Sequence, residues 1–390
     1  VSLTALSLLA LNGVYAAYVW RLGGALAGRG DRLAPGGGEE GEVAAGGISV
    51  IVPARNEAEA LPATLRTLCA QTLPRERWEL LVVDDCSRDG SAEVARVLIE
   101  ELGRQGVAAR LLGTTPGRSG KKEAIDLGRE EARHDWVAVL DADSRPGPDW
   151  LATLLGAVRS GDGLLAGPVV FAGEGLWSRL VRLEYMGLLG AGLASFALGR
   201  PLFASGANLA WRRTAYREAG GYEGLLHLPS ADDTLLIQRM RLRTRWTLAA
   251  TLARGALVAT RGPAGPREFW RQRVRWTSSE RHMPDRAAQA GALSLYLVFL
   301  GTLLAPVLAL NGHLSALAAL GIVLLKLIPD LRLTVHAARR LGGRGLLPLF
   351  PLVWLGQLAY GLVVPWVGTF VRPPWRGSPA EGRPPLGCAP

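Results

Sequence analysis

The chain has 390 residues and carries 44 lysines and arginines against 34 aspartates and glutamates, a formal net charge of +10. Its mean hydropathy is +0.18, which argues against a wholly soluble protein. The three cysteines, Cys69, Cys86 and Cys388, form no CxxC pair, so neither a zinc cluster nor a disulfide framework is supported.

Val1 to Trp20 is almost wholly apolar and is followed by Arg21, Arg29 and Arg32. About 20 apolar residues span a bilayer, and a cleaved signal peptide carries its positive charge before the apolar run. The pattern predicts an uncleaved transmembrane helix over residues 1–22 with its C-terminal end in the cytosol. The chain opens without an initiator Met, so a short N-terminal piece is expected to be missing. A Gly- and Glu-rich stretch, Pro35 to Gly47, predicts a linker over residues 23–47.

From Ile48 the pattern changes to short apolar runs alternating with helix-like sequence. ISVIVP, LLVVDD (Leu80 to Asp85) and WVAVLDAD (Trp136 to Asp143) read as strands, with a helix from Glu57 to Ala70 after the first. This alternation predicts an α/β layer with a mainly parallel sheet over residues 48–264. Its carboxylates fall just past strand C-terminal ends, where ligands bind in open α/β sheets.

Leu176 to Leu198 mixes apolar runs with Arg179, Arg182 and Glu184, and reads as an interfacial amphipathic helix rather than a span. Arg267 to His282, rich in Arg and carrying Trp270 and Trp276, is a second such candidate inside an interfacial segment 265–290. Three apolar stretches follow within residues 291–371: Ala292 to Leu310, Leu314 to Ile328 and beyond, and Leu346 to Phe370. The middle one is interrupted by Lys326, Pro329 and Asp330, and the basic loop Arg332 to Arg344 is expected in the cytosol. That orientation leaves the tail 372–390, with Arg372, Arg376 and Arg383, on the opposite side against the charge rule. The clustering of positive charge beside apolar segments favours anionic membrane over nucleic acid as the partner.

Asp84-Asp85 ends one strand and Asp141-Ala142-Asp143 another. Carboxylates two apart at a strand end can address one hard divalent cation, Mg2+ or Mn2+, shared with a diphosphate. Each candidate also has a plainer reading. Asp84 fits a helix cap, Lys121 a solvated helix residue, Asp232-Asp233 a dipole-favoured helix start, and Arg275-Trp276 a membrane-surface anchor.

Seven segments in order carry a resemblance: ISVIVPARNEAEALPATL, ELLVVDDCSRDGS, GKKEAIDLG, WVAVLDADSRPGPDWL, SGANLAWRR, ADDTLLIQRM and RQRVRW. From Ile48 to Trp276 the chain resembles family 2 glycosyltransferases of the GT-A fold, and among them membrane-bound polysaccharide synthases and ceramide glucosyltransferase-like enzymes. The resemblance implies a Rossmann-like domain that takes a nucleotide-diphospho-sugar, UDP-linked by expectation, and passes the sugar with inversion to a lipid or glycan. It implies a plasma-membrane enzyme with a cytosolic site.

By the same resemblance Pro53, Ala54, Asn56 and Glu57 would line the nucleotide site, and Asp84 with Asp85 would hold the base. Lys121 would sit near the nucleotide or its phosphates. Asp141 and Asp143 would form the DxD element, Asp143 as metal ligand. Gly206 and Asn208 match the acceptor-side GxN. Asp233 would be the general base, with Asp232 beside it on the acceptor side. Gln272, Arg275 and Trp276 match QxxRW, which would bind the diphosphate and border the acceptor.

An inverting transfer needs one base for the acceptor hydroxyl and positive charge at the departing diphosphate, which a metal and Arg275 would supply. Three positions depart from the family pattern: Asp232 for the usual Glu, Asp126 for a common Asn, and Arg261 for an acidic residue. GRSGKKE is not a P-loop, because Thr115 and Lys122 stand where Gly and Ser or Thr belong. A Rossmann dehydrogenase would need G-x-G-x-x-G after the first strand. A GT-A-like nucleotidyltransferase would leave Asp233 and QxxRW without a role. A processive polysaccharide synthase and a non-catalytic scaffold remain the alternatives.

Overall fold

The computed structural model describes residues 3–28, 30–35, 46–115, 118–226, 228, 231–278 and 285–371. Arg29, most of the linker, His227, His282, Cys388 and the tail from Arg372 lie outside the described residues. The helices are α1 (Leu3–Ala27), α2 (Leu61–Cys69), α3 (Ser91–Arg104), α4 (Lys121–Glu131), α5 (Trp150–Ala157), α6 (Gly175–Ala197), α7 (Arg213–Ala219), α8 (Asp232–Arg243), α9 (Pro266–Thr277), α10 (Arg286–Leu310), α11 (Ala316–Arg340) and α12 (Phe350–Phe370). The strands are β1 (Arg32–Leu33), β2 (Ile48–Ala54), β3 (Trp78–Asp84), β4 (Ala108–Gly113), β5 (Trp136–Val139), β6 (Arg145–Pro146), β7 (Asp162–Ala166), β8 (Val169–Ala172), β9 (Leu209–Arg212), β10 (Thr247–Thr251) and β11 (Val258–Arg261).

The chain divides into two compact units. One holds Asp31–Ala172 and Phe196–Arg261; the other holds Val1–Gly30, Gly173–Ser195 and Gly262–Arg372. The expected continuous span 48–264 is therefore interrupted: most of α6 joins the helical unit, and β1 joins the sheet.

The α/β unit is built on an eight-stranded sheet in the order β1-β10-β7-β9-β5-β2-β3-β4, with a small sheet β6-β11-β8. Strands β5, β2, β3 and β4 run parallel, as do β10 and β7; β9 runs against both β5 and β7. Every residue of β2 and β5 is buried, which is why they read as unbroken apolar runs: helices cover both faces of such a sheet. Pro53 sits in β2 beyond the last β2–β5 partners, Ile51 and Val139, so its missing N–H interrupts no ladder on that side. The parallel strands bring Ala54, Asp84 and Asp141 to one sheet edge. Because β9 is antiparallel to β5, with Val139 opposite Leu209, the residues that precede β9 reach that same edge.

In the helical unit, α1 runs past Trp20 to Ala27. It continues because Leu22 and Leu26 are buried. Arg332 donates to the Trp20 carbonyl at 2.5 Å and lies 4.2 Å over its ring. The stretch from Arg332, expected as a loop, is instead helical to Arg340. Leu333, Thr334, Ala337 and Ala338 recur at helical spacing and are buried.

Lys326 and Asp330 do not break α11. They are one turn apart and pair at 2.6 Å, and Asp330 also accepts from Tyr15 at 2.5 Å and Trp354 at 2.9 Å. The Lys326 ammonium lies 4.2 Å over the Phe299 ring. Residues of α1, α10, α11 and α12 thus enclose one neutralised pair.

Among the described residues, four helices are long and apolar enough to cross a membrane: α1, α6, α10 and the segment Arg344–Phe370 that contains α12. The segment expected to be interfacial, now α6, is among them, and its Glu184 is buried. The charges of α11 keep it out of that set.

Candidate active site

The loops after β2 and β3 are tied to each other. Asn56 adopts φ 54°, a conformation Asn tolerates. Its amide N–H donates to Ser87 Oγ at 3.0 Å, and its side-chain oxygen accepts from Arg88 N at 2.9 Å. Glu57 N and Ala58 N donate to Ser91 and Asp89 at 2.8 and 3.0 Å. Asp84 is half-buried and accepts from Ser87 N at 3.2 Å. That bond closes a turn rather than capping α3, which starts after Gly90.

Asp85 was expected to help hold the base, but its carboxylate is fully buried. Oδ1 accepts from Thr114 Oγ1 at 2.9 Å and Gly120 N at 2.8 Å, and Oδ2 pairs with Arg55 at 3.0 Å. It joins the ends of β2, β3 and β4 to the start of α4. Gly120, at φ 130°, occupies backbone space closed to side chains, and so turns Lys121 toward the sheet edge.

Lys121 is not solvated. Its ammonium bridges Asp141 Oδ1 at 2.8 Å and Asp232 Oδ2 at 2.9 Å, residues brought together from three separate segments. Burial opposes the charge on Lys121, but the two carboxylates outweigh it and hold its pKa above the ordinary value. Burial would likewise raise Asp232, yet Lys121 and Lys122 keep it below the usual range. Asp233 goes the other way: burial and the adjacent Asp232 carboxylate push it up to about 6. Gly206 N donates to Asp233 Oδ2 at 2.9 Å, and Thr234 N to Oδ1 at 2.6 Å.

Both readings of the acidic pair therefore coexist: it opens α8, as the helix dipole favours, and it also faces Lys121. Ala231 just before it holds φ 60°, a conformation that costs a non-glycine residue about 1 kcal/mol or more. Sequence reasoning missed Lys122, which is buried and donates to the Leu228 carbonyl at 2.7 Å. Burial lowers its pKa to about 8.

Asp143 is half-buried and accepts from Thr260 Oγ1 of β11 at 3.1 Å. Among the described residues no three His, Cys, Asp or Glu side chains group as a metal cage. One carboxylate nonetheless suits a Mg2+- or Mn2+-type site, because such ions take one or two carboxylates and fill the remainder with substrate phosphate and water. The hard oxygen donors of Asp143 fit that chemistry.

Asn208, expected on the acceptor side, is wholly buried. It donates to Pro168 O and Ala256 O at 2.9 and 2.8 Å and accepts from Trp150 Nε1 at 3.0 Å. Its amide lies where a Cβ on Gly167 would sit. The structure uses Asn208 to lock β7, β9 and the β11 approach, which leaves Gly206 as the GxN member at the acid pair.

The QxxRW residues belong to α9 in the helical unit. Gln272, Arg275 and Trp276 are half-buried. The Trp276 ring is 6.1 Å from Tyr185 and has the Arg273 guanidinium 4.3 Å over it, so part of the aromatic surface expected to border the acceptor is packed.

An open, mainly parallel α/β sheet with its acidic residues on the C-terminal edge, in a chain that also forms long apolar helices, is the layout of a GT-A-type transferase. The profile described as Glycosyl transferase family 2 matches residues 49–220, and that described as Glycosyl transferase family group 2 matches residues 136–364. The chain belongs to the family 2 glycosyltransferases.

It is similar to the probable glycosyltransferase YdaM of Bacillus subtilis (strain 168), 24% identical over 245 residues that cover 60% of this chain and 56% of that one. It is also similar to the undecaprenyl-phosphate 4-deoxy-4-formamido-L-arabinose transferase of Aeromonas hydrophila subsp. hydrophila, 34% identical over 116 residues that cover 29% and 34%. The chain thus spans about half or less of the length of these relatives. Among solved structures, the mannosyltransferase PcManGT from Pyrobaculum calidifontis, in complex with GDP-Man and Mn2+, matches with a TM-score of 0.58 at 20% identity. The match covers 96% of this chain and 99% of that one, a likeness of fold.

Proposed function

We propose that the protein transfers a sugar, with inversion, from a nucleoside diphosphate donor to a lipid or glycan acceptor at the cytosolic face of the plasma membrane. The observation that carries this reading is the Asp233 carboxylate, poised near pH 6 at the sheet edge and aimed by Gly206 and Thr234. Asp233 takes the proton of the acceptor hydroxyl as the acceptor oxygen bonds to the anomeric carbon and the bond to the diphosphate breaks. Lys121 bridges Asp141 and Asp232, so the base works beside a pair whose charge one ammonium offsets in part, rather than among three bare carboxylates.

In this reading Pro53, Ala54, Asn56 and Glu57 border the nucleotide, with Asp84 beside them, while Asp85 holds the loops that shape the pocket. Gln272 and Arg275 meet the diphosphate and Trp276 borders the acceptor. A divalent cation held by Asp143 would neutralise charge on the leaving diphosphate when bound. UDP-sugars are the expected donors; the GDP-Man complex of PcManGT keeps GDP-sugars in the panel. The name of the Aeromonas relative, an undecaprenyl-phosphate transferase, supports a lipid acceptor. α1 before the α/β unit and α10, α11 and α12 after it are proposed to span the membrane, α11 doing so with its Lys326 and Asp330 paired.

The test is a donor screen on protein purified in detergent with Mn2+ or Mg2+, reading nucleoside diphosphate release, followed by mass analysis of membrane lipids as acceptors. Release with one donor, lost in Asp233→Asn and Asp143→Ala, is expected. No release with any donor would sink the reading in favour of a non-catalytic scaffold, whereas an Asp143→Ala variant as active as the parent would remove Asp143 and its metal from the mechanism.

A further inference from the structure

Arg273 lies inside the QxxRW segment at a position the motif leaves open, yet it is more buried than any of the three motif residues beside it. Its guanidinium makes several contacts within the helical unit. Nη2 pairs with Glu184 of α6, and Nη1 donates to Gln272 Oε1 at 2.8 Å. The plane packs 4.5 Å from the Phe269 ring and 4.3 Å from the Trp276 ring. These are residues i−4 and i+3 of the same helix, so one flat cation is held between two aromatic neighbours on one face.

Glu184 in turn accepts from Tyr360 of α12 at 2.5 Å, and the Tyr360 ring meets Phe269 edge-on at 5.3 Å. At the end of α9, Thr277 hydrogen-bonds to the Val364 carbonyl at 3.4 Å. Gly368 lets the α12 backbone come this close, because a Cβ there would fall 2.2 Å from Thr277 Oγ1.

We propose that Arg273 is a positioning residue for diphosphate binding: it locks the rotation of α9 against α6 and α12 and sets the side chains of Gln272 and Trp276 directly. A buried charge is costly unless it is paired, and Glu184 supplies that pair. Charge pairing alone does not account for the further contacts with Gln272 and Trp276, which suit a planar guanidinium. The Glu184–Tyr360 link makes the two apolar helices α6 and α12 part of the same device, so a shift between them would turn the diphosphate-binding face.

This inference rests on the reading that Gln272 and Arg275 meet the diphosphate, and the experiment separates the two. Full-length protein in detergent is titrated calorimetrically, in Mn2+, with UDP and GDP and with UMP and GMP. Arg275→Met tests the underlying reading. Arg273→Lys tests the inference, since lysine keeps the charge beside Glu184 and so keeps the fold, while losing the second arm to Gln272 and the flat face for Trp276. Tyr360→Phe is the second variant.

For the preferred diphosphate, Arg275→Met and Arg273→Lys should each weaken binding on the order of tenfold, the scale of a small misplacement. Tyr360→Phe should weaken it less, in the same direction. Monophosphate affinity should stay at the parental value in all three, while Tyr360→Phe, which strips one hydrogen bond from buried Glu184, should lower the melting temperature somewhat. If Arg275→Met changes nothing, the QxxRW reading fails and the inference with it. If Arg275→Met weakens diphosphate binding and Arg273→Lys leaves it intact, the positioning role alone is overturned. A loss by Arg273→Lys that is equal for mono- and diphosphates would also overturn it, because that marks a general packing defect.

Discussion

The Gly206 amide donates to the Asp233 carboxylate across 2.9 Å. It connects a residue before β9 to the first turn of α8 and fixes the direction in which the proposed base presents its free lone pairs. Burial and Asp232 raise the pKa of that carboxylate to about 6, whereas an ordinary aspartate titrates near 3.9. A base works in its deprotonated form. Activity is therefore expected to be full above pH 7 and to fall as the pH drops through about 6, with no matching loss of fold. A kcat/KM profile checks this, and Asp233→Asn should lower kcat by about 100-fold or more.

Gly206 itself tolerates no side chain without disturbing this arrangement. A Cβ there would lie 2.8 Å from Asp232 Oδ2 and 3.3 Å from Lys121 Nζ. Gly206→Ala should pry the Lys121–Asp232 pair apart and cut kcat by about tenfold, a misplacement effect. The melting temperature should change little, because the displaced atoms are side-chain ends. An active Gly206→Ala enzyme would show that the pair is not held for the chemistry.

Asn208 should behave as a residue of stability rather than of acceptor binding. Asn208→Ala strands two buried carbonyls, of Pro168 and Ala256, and the Trp150 indole N–H. Each unsatisfied buried group costs about 1–3 kcal/mol, so a loss of about 3 kcal/mol or more is expected in a denaturation series. If the variant instead keeps its stability and raises the KM for acceptor, the acceptor-side assignment returns.

Removal of divalent cation by a chelator should abolish transfer reversibly, with Mn2+ or Mg2+ restoring it. Asp143→Ala should raise the metal concentration needed for half-maximal rate, since Asp143 supplies the hard oxygen at the sheet edge. Full activity in chelator would remove the metal from the mechanism.

The pair of Lys326 and Asp330 predicts a non-additive result. Lys326 is almost fully buried, and removing it alone leaves Asp330 unpaired among apolar helices. Lys326→Met should cost about 3–5 kcal/mol, while the double change Lys326→Met with Asp330→Leu should regain most of it. Melting temperatures of the single and double variants in detergent measure the difference.

Much of the fold was legible because its strands are buried on both faces. ISVIVP, LLVVD and WVAV could be read as strands without any partner in view, and α10 and α12 appeared as apolar runs that end where the helices do, at Leu310 and Phe370. The candidate site was legible only in part. Asp233 announces itself as a carboxylate at a helix start, but its raised pKa depends on burial and on Asp232. Lys122, beside the conspicuous Lys121, carries no signal of its own burial. Arg273 looked like one more arginine in a basic segment; its spacing from Phe269 and Trp276 was the cue, but its partner Glu184 is far away in sequence. The helicity of Arg332 to Arg340 was hidden because charge was taken as a loop signal, whereas long basic side chains lie comfortably along a helix whose other face is buried.

Sequence by itself determined the family, the sheet class, the order of the motifs and the presence of long apolar helices. These depend on local composition and period, which neighbouring residues carry together. Tertiary structure alone decided which polar side chains are usable. Asp85 and Asn208 were consumed by buried hydrogen bonds, Lys121 was drawn between Asp141 and Asp232, and Asp233 was left raised and poised. Those outcomes depend on desolvation and on charges placed a few ångströms apart by residues distant in the chain.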